Sequence, residues 1–406
     1  MSEVIRKFLK YVSYNTQSDD YSETFPSTAV QHLLAERLEE ELRKMGAADV
    51  VRDTTFGYVY AKIPATPGME HRKTLGFLAH MDTSPEVSGE NVRPRIISDY
   101  DGGDICLNDT VFLKPEEFPE LREYVGKSLI VTDGTTLLGA DDKAGIAEIM
   151  TMAERLLSNP SIEHGPIAIA FTPDEEVGSG VDHIDLAAFG ADYAYTVDGG
   201  AIGELEYENF NAASAVVTVC GRSVHPGEAK NKMLNAVRIA TEFESMLPDN
   251  QKPERTEGYE GFFHLRVLNG DIETATMEYI IRDHDRTLFE EKKRRINEIA
   301  ESLNTKYGSG TVSVELKDQY YNMREVIEDG NMFLVDKAKA AMESLGMVPK
   351  IRPIRGGTDG ARLSFMGVPC PNLCTGGHNF HGRYEYICIE SMEAIVNLLT
   401  ELAKCV

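Results

Sequence analysis

"IAIAFTPDEEVGSG", residues 167–180, runs from an apolar strand straight into three consecutive acids, Asp174, Glu175 and Glu176, and then into glycine. Like charges repel one another, and carboxylates are rarely buried unpaired. Taken alone, such a triplet reads as a surface turn. The alternative is a bound cation, which reverses the electrostatic sign of its surroundings. What the rest of the chain brings to the same place decides between them.

Outward from this strand, short apolar runs alternate with helical patterns. TLGFLAH (74–80), PIAIAFT (166–172) and YAYTV (193–197) read as strands, and KAGIAEIMTMAERLL (143–157) reads as a helix. Another helix is expected over 27–45, where Val30, Leu33, Leu34, Leu38, Leu42 and Met45 recur at helical spacing between Pro26 and Gly46. This alternation predicts an α/β domain on a mostly parallel central sheet. The middle of the chain changes character. AASAVVTVC, GFFHLRVL, TATMEYIIRD and GTVSVEL read as strands, with helices over MLNAVRIATEFESML and TLFEEKKRRINEIAESLNTKY. Their order, β-α-β-β-α-β, is ferredoxin-like. Residues 209–320 are therefore expected to form a small domain inserted into a larger one made of 1–208 and 321–406. SMEAIVNLLTELA, near the C-terminus, supplies a last amphipathic helix.

A chain of 406 residues exceeds a comfortable single core, consistent with two domains. Its net charge of -25 argues against nucleic acid and anionic membrane as partners. The six cysteines are scattered, and the closest pair, Cys370 and Cys374, has no second pair to complete a structural zinc site. They read as buried free thiols in a reducing compartment. The opening MSEVIRKFLKYVSYNT is charged within its apolar face, so it reads as an amphipathic helix and not as a signal peptide. No apolar run approaches membrane-spanning length. A cytoplasmic location is the expectation.

The acidic triplet has company. TLGFLAHMD ends a strand with His80 and Asp82, whose i, i+2 spacing points both side chains the same way. LLGADDKAG places Asp141 and Asp142 before a helix, YAYTVDGG ends a strand with Asp198, and CTGGHNFHG brings His378 and His381 after another. Ligands of open α/β sheets bind at the carboxyl ends of strands. Each motif alone has an ordinary reading: a structural histidine, a helix cap, a turn. Together they would gather two imidazoles and several carboxylates by accident. Such a donor set suits zinc, manganese or cobalt, and one carboxylate between two ions about 3.5–4 Å apart makes a hydrolytic centre. The doubled acids then divide their labour, with Glu176 on metal and Glu175 beside it as general base.

The ordered motifs HMDT, GADDKAG, TPDEEVG, TVDGG, SVHPG, GGTDG and GGHNFHG resemble the M20 family of co-catalytic metallopeptidases. The longer segments LLGADDKAGIAEIM, NFNAAS, EGYEGF, YYNMRE and PIRGGTDGA are similar to the tripeptide aminopeptidases of that family. The resemblance covers nearly the whole chain. It implies an α/β/α catalytic domain with a ferredoxin-like lid, two zinc ions per subunit, and release of the N-terminal residue of tripeptides. It also implies a homodimer formed through the lid. His80, Asp141 and Asp198 would hold one ion, and Asp141, Glu176 and His381 the other. The first acid of GADDKAG aligns with the family's shared ligand, so Asp141 is chosen over Asp142. The family commonly has a cis peptide after it. Asp82 would orient His80, and Glu175 would activate the bridging water. His225 of SVHPG would stabilise the tetrahedral intermediate. Arg282 of YIIRDHD, assisted by Asn379, would bind the peptide carboxylate. His378 stands where the family carries an aromatic residue, leaving a second imidazole near the ligand. His381 is kept as ligand on its NFHG context. Asp359 of GGTDG reads as a helix cap.

Two other readings stay open. Another activity of the same family (dipeptidase, carboxypeptidase or N-deacylase) would share the metal centre and differ in the lid. A metal-loaded binding protein without catalysis would lack a base, whereas Glu175 is present.

Overall fold

The computed structural model describes residues 1–405, which divide into two compact units. The larger takes Met1–Tyr207, Glu325–Arg352 and the chain from Thr358 onward. The smaller takes Glu208–Arg324 together with Pro353–Gly357.

Four parallel strands form the centre of the larger unit, in the order Ile167–Thr172, Leu75–His80, Tyr193–Gly199 and Asn372–Cys374. Val59–Ile63 and Ala48–Arg52 extend one edge antiparallel, and Glu204–Glu206 with Lys350–Ile351 extend the other. Leu75–His80 and Ile167–Thr172 are buried at every position, as parallel strands covered on both faces must be. Alternate residues serve opposite faces. Leu75, Phe77 and Ala79 join the core with the helices Glu3–Tyr11, Ala140–Ser158 and Ile389–Cys405, while Leu78 faces Tyr58, Tyr60 and Leu363. One close approach sets the start of the helix over 143–158. A Cβ added to Gly145 would lie 1.9 Å from the Val197 carbonyl oxygen, so only glycine brings the helix this near the strand carrying Asp198.

In the smaller unit four antiparallel strands lie in the order Phe262–Gly270, Thr274–Asp283, Asn211–Cys220 and Val312–Tyr320. The helices Ala236–Ser245 and Arg286–Tyr307 pack on the sheet through Phe243, Phe289, Ile296 and Leu303, against Val217, Met277 and Ile281. Thr274–Asp283 alternates buried and more exposed positions, the pattern of a sheet covered on one face. This is the ferredoxin-like order expected.

Three features differ from the sequence reading. Glu208, residues 321–324 and Pro353–Gly357, expected within the larger domain, belong to the smaller unit. Ile354 donates its N–H to the Glu208 carbonyl at 2.8 Å, and Arg355 donates to the Gly258 carbonyl at 2.6 Å. A second sheet of Gly377–His378, Tyr386–Cys388, Leu129–Val131 and Arg95–Ile97 organises a region that had no assignment. Its strands are too short to show a period. The cysteines are all free, but Cys106, Cys220 and Cys405 are exposed and only Cys370, Cys374 and Cys388 are buried. Among the described residues, no helix is long and apolar enough to cross a membrane.

Candidate metal centre

The carboxyl ends of the parallel strands converge. His80 ends one strand, and its Nε2 lies 2.9 Å from Asp141 Oδ1 and 3.3 Å from Asp198 Oδ1. Asp198 stands near the end of the neighbouring strand. His381 Nε2 lies 3.2 Å from Asp141 Oδ2 and 2.9 Å from Glu176 Oε2. Two donor groups result, His80–Asp141–Asp198 and Asp141–Glu176–His381, and Asp141 belongs to both. Asp142 belongs to neither.

Local backbone explains the choice between the adjacent acids. Regular helix begins only at Lys143, because Asp141 and Asp142 have non-helical dihedrals; the peptide between them is cis, as the resemblance implied. Asp142 caps the helix, its Oδ1 accepting the Gly145 N–H at 3.2 Å while Oδ2 accepts the His80 N–H at 3.2 Å. The capping expectation thus holds for the second acid and releases the first to face the imidazoles.

The acidic triplet is also divided. Asp174, in the left-handed region at φ 54°, is held by the side chains of Ser27 and Gln31. The backbone N–H groups of Glu175 and Glu176 both point to Asp82, at 3.0 and 3.2 Å. Asp82 Oδ1 also lies 3.3 Å from His80 Nδ1, and its carbonyl oxygen 3.1 Å from the same nitrogen. One fully buried carboxylate therefore orients the histidine and fixes the acidic turn.

Electrostatics show what such a cluster demands. Burial raises Asp198 to about 6 and Glu176 to about 8, and it carries Glu175 well above the carboxylate range with help from the Asp198 charge. Asp141 is also buried, but hydrogen bonds to His381 and His80 outweigh that and hold it low. Burial opposes charge on both imidazoles. The Asp198 charge and the hydrogen bond that His80 donates to Asp141 nevertheless raise His80 well above its ordinary value, and Asp141 and Glu176 raise His381 to about 12. The crowding of buried carboxylates drives these shifts, and bound cations would offset the same negative charge. Glu176 Oε1 is buried with no hydrogen-bond partner, which a metal ligand explains directly. The residues fit a pair of divalent ions.

Other expected site residues lie elsewhere. Asn379, at φ 57°, donates from Nδ2 to the Tyr384 carbonyl at 3.2 Å, near His381 in sequence but outside both groups. His378 is not a donor to either group. Its Nε2 is 2.6 Å from the Tyr124 hydroxyl, it stacks on Tyr386, and burial lowers it to about 4. Asp359 does not cap its helix; its buried carboxylate accepts from Thr172 Oγ1 at 2.7 Å, and burial raises it to about 7. In the smaller unit, His225 is exposed and its Nδ1 accepts the Gly227 N–H at 3.2 Å. Arg282 Nη1 donates to the Ala213 and Ile281 carbonyls, with the guanidinium 5.4 Å from the Tyr320 ring centroid.

Two supporting carboxylates escaped the sequence reading. Glu86 Oε2 lies 3.2 Å from His381 Nδ1. Glu385 accepts backbone N–H groups of the loop that carries Asp141. PEV and RYE carry no local signature for either role.

Comparison with known proteins agrees with this picture. The peptidase dimerisation domain family (M20_dimer) matches residues 207–311. Peptidase T of Caldanaerobacter subterraneus subsp. tengcongensis is 56% identical over 406 residues, covering 100% of this chain and 98% of that protein. Among solved structures, aminopeptidase PepT from Bacillus cereus superimposes with a TM-score of 0.78 at 24% identity, covering 99% of this chain and 97% of that one. A tripeptidase from Staphylococcus aureus superimposes with a TM-score of 0.79 at 21% identity, with the same coverage. At these identities the two structures establish a shared fold.

Proposed function

The chain belongs to the peptidase T family, and from that premise we propose that it is an aminopeptidase releasing the N-terminal residue of tripeptides. The observation that carries the chemistry is the pair of donor groups joined through Asp141. His80, Asp141 and Asp198 would hold one ion, and Asp141, Glu176 and His381 the other. Zinc suits this set of imidazoles and carboxylates, and manganese or cobalt would be accepted. When bound, the ions would polarise the scissile carbonyl and ease deprotonation of the attacking water.

The chain's own residues do the rest. Glu175, outside both donor groups, takes the proton of the water and returns it to the leaving amine. Because Nδ1 of His225 accepts the Gly227 N–H, the ring's donor is Nε2, available to a developing oxyanion. Arg282, helped by Asn379, would bind the terminal carboxylate of the substrate, a partner suited to the fork of the guanidinium. The match to a peptidase dimerisation domain supports a homodimer built through the smaller unit.

Asp82 offers a direct check on the metal reading. In Asp82→Asn an NH₂ replaces either Oδ1, which accepts the Glu175 N–H and lies against His80 Nδ1, or Oδ2, which accepts the Glu176 N–H. Zinc titration of the stripped protein should show about 10–100-fold weaker binding, most at the ion held by His80. Unchanged binding would remove Asp82 from the centre.

The substrate is tested with four compounds given to the zinc-supplied protein: a free tripeptide, its N-terminal dipeptide, the N-acetylated tripeptide and the C-terminally amidated tripeptide. Efficient cleavage is expected for the free tripeptide alone. A charged hydrogen bond contributes roughly 1.5–3 kcal/mol, so the amide should lose about ten- to hundredfold in kcat/KM. Rapid cleavage of the acetylated compound would point to an N-deacylase or carboxypeptidase instead. Equal cleavage of acid and amide would reject the role of Arg282 and leave the metal chemistry standing.

A further inference from the structure

Resting on the two-ion reading above, we infer that Glu385 is a positioning residue that holds the shared carboxylate of Asp141 in register with both imidazoles. Glu385 is 1% exposed and immediately precedes the strand Tyr386–Cys388. Its Oε2 accepts the N–H groups of Leu138 at 2.6 Å and Gly139 at 2.8 Å, and its Oε1 accepts that of Asp141 at 3.1 Å. These donors belong to a loop with Gly139 in the left-handed region at φ 81° and Asp141 at φ -86°, ψ 104°. Such a loop cannot satisfy its own N–H groups as a helix or strand would. One carboxylate from more than 240 positions away does it instead.

The consequence falls on Asp141. Its two oxygens must face different imidazoles, Oδ1 toward His80 and Oδ2 toward His381. A side chain with two torsions keeps such a pose only when its backbone is held. The segment that carries His381 also carries Glu385, four residues later. It therefore grips Asp141 twice, His381 at the carboxylate and Glu385 at the backbone N–H. Outer partners of this kind set the orientation of a ligand and with it the affinity for the ion.

Glu385→Gln keeps the shape but turns an NH₂ toward backbone N–H donors. Full-length protein stripped by chelator and titrated with Zn²⁺ should bind both ions about 10–100-fold more weakly, because Asp141 serves both, and excess Zn²⁺ should restore much of the turnover. A lower Tm with unchanged zinc dissociation constants would mean a role in folding alone and would overturn the inference. If that variant is insoluble, Glu385→Asp retains the charge but is one methylene too short to reach all three donors. It should weaken zinc binding in the same sense, and unchanged constants would overturn the inference equally. Wild-type protein that takes up no Zn²⁺ would instead reject the two-ion reading beneath it.

Discussion

Glu175→Gln should lower kcat by about 10²–10⁴-fold while leaving two ions bound. Glu175 sits in neither donor group, so its loss removes no ligand. The amide is nearly isosteric, and the Glu175 N–H still points to Asp82, so the acidic turn should keep its shape. What disappears is the capacity to accept a proton, and a general base typically contributes the stated range. KM should change little, because the binding groups are untouched. The decisive measurement pairs single-turnover kinetics with metal analysis of the same sample. Loss of an ion would make Glu175 a ligand. Full activity with both ions present would transfer the proton chemistry to another group.

Asp141→Asn should have the largest effect of any single change, because two sites depend on one side chain. The asparagine presents one oxygen where the carboxylate presents two, and its NH₂ must then face either His80 or His381. At most one ion should remain, and turnover should vanish. Stability reports the same loss independently. An ion at 100 times its dissociation constant stabilises the folded state by about 2.7 kcal/mol, and at 1,000 times by about 4.1. The rise in Tm that zinc gives the wild type should therefore shrink in the variant. Asp142→Asn is the comparison. Asp142 caps the helix and holds the His80 N–H, so this change should cost stability yet retain both ions. If instead Asp142→Asn loses both ions and Asp141→Asn keeps them, the shared ligand is the second acid.

Much of the centre was legible before the fold because parallel sheets put their strand ends together. His80 and Asp198 follow apolar runs long enough to be strands, and Glu176 follows one within four residues. Helical and strand periods, being local, also carried the ferredoxin-like order of the smaller unit. A buried aspartate in a capping position gave no local hint of which acid would cap. Asp141 and Asp142 are adjacent and chemically identical, and only the backbone between Gly139 and Lys143 separates their tasks.

Which strands end in donors, the sign of the charge they gather, and the insertion of a second unit between the halves of the first can all be read from the order of the residues. These follow from side-chain period and composition, which act over a few residues. Tertiary structure alone decided that Asp174 is tied to Ser27 and Gln31 and that Asp82 serves both His80 and the acidic turn. It also removed His378 from the centre by pairing it with Tyr124, and moved Pro353–Gly357 to the smaller unit. In most of these cases a side chain satisfies a partner brought near by the fold, often a backbone N–H far away in the chain. A hydrogen bond of that kind has no period and no preferred spacing, so nothing in the order of the residues announces it.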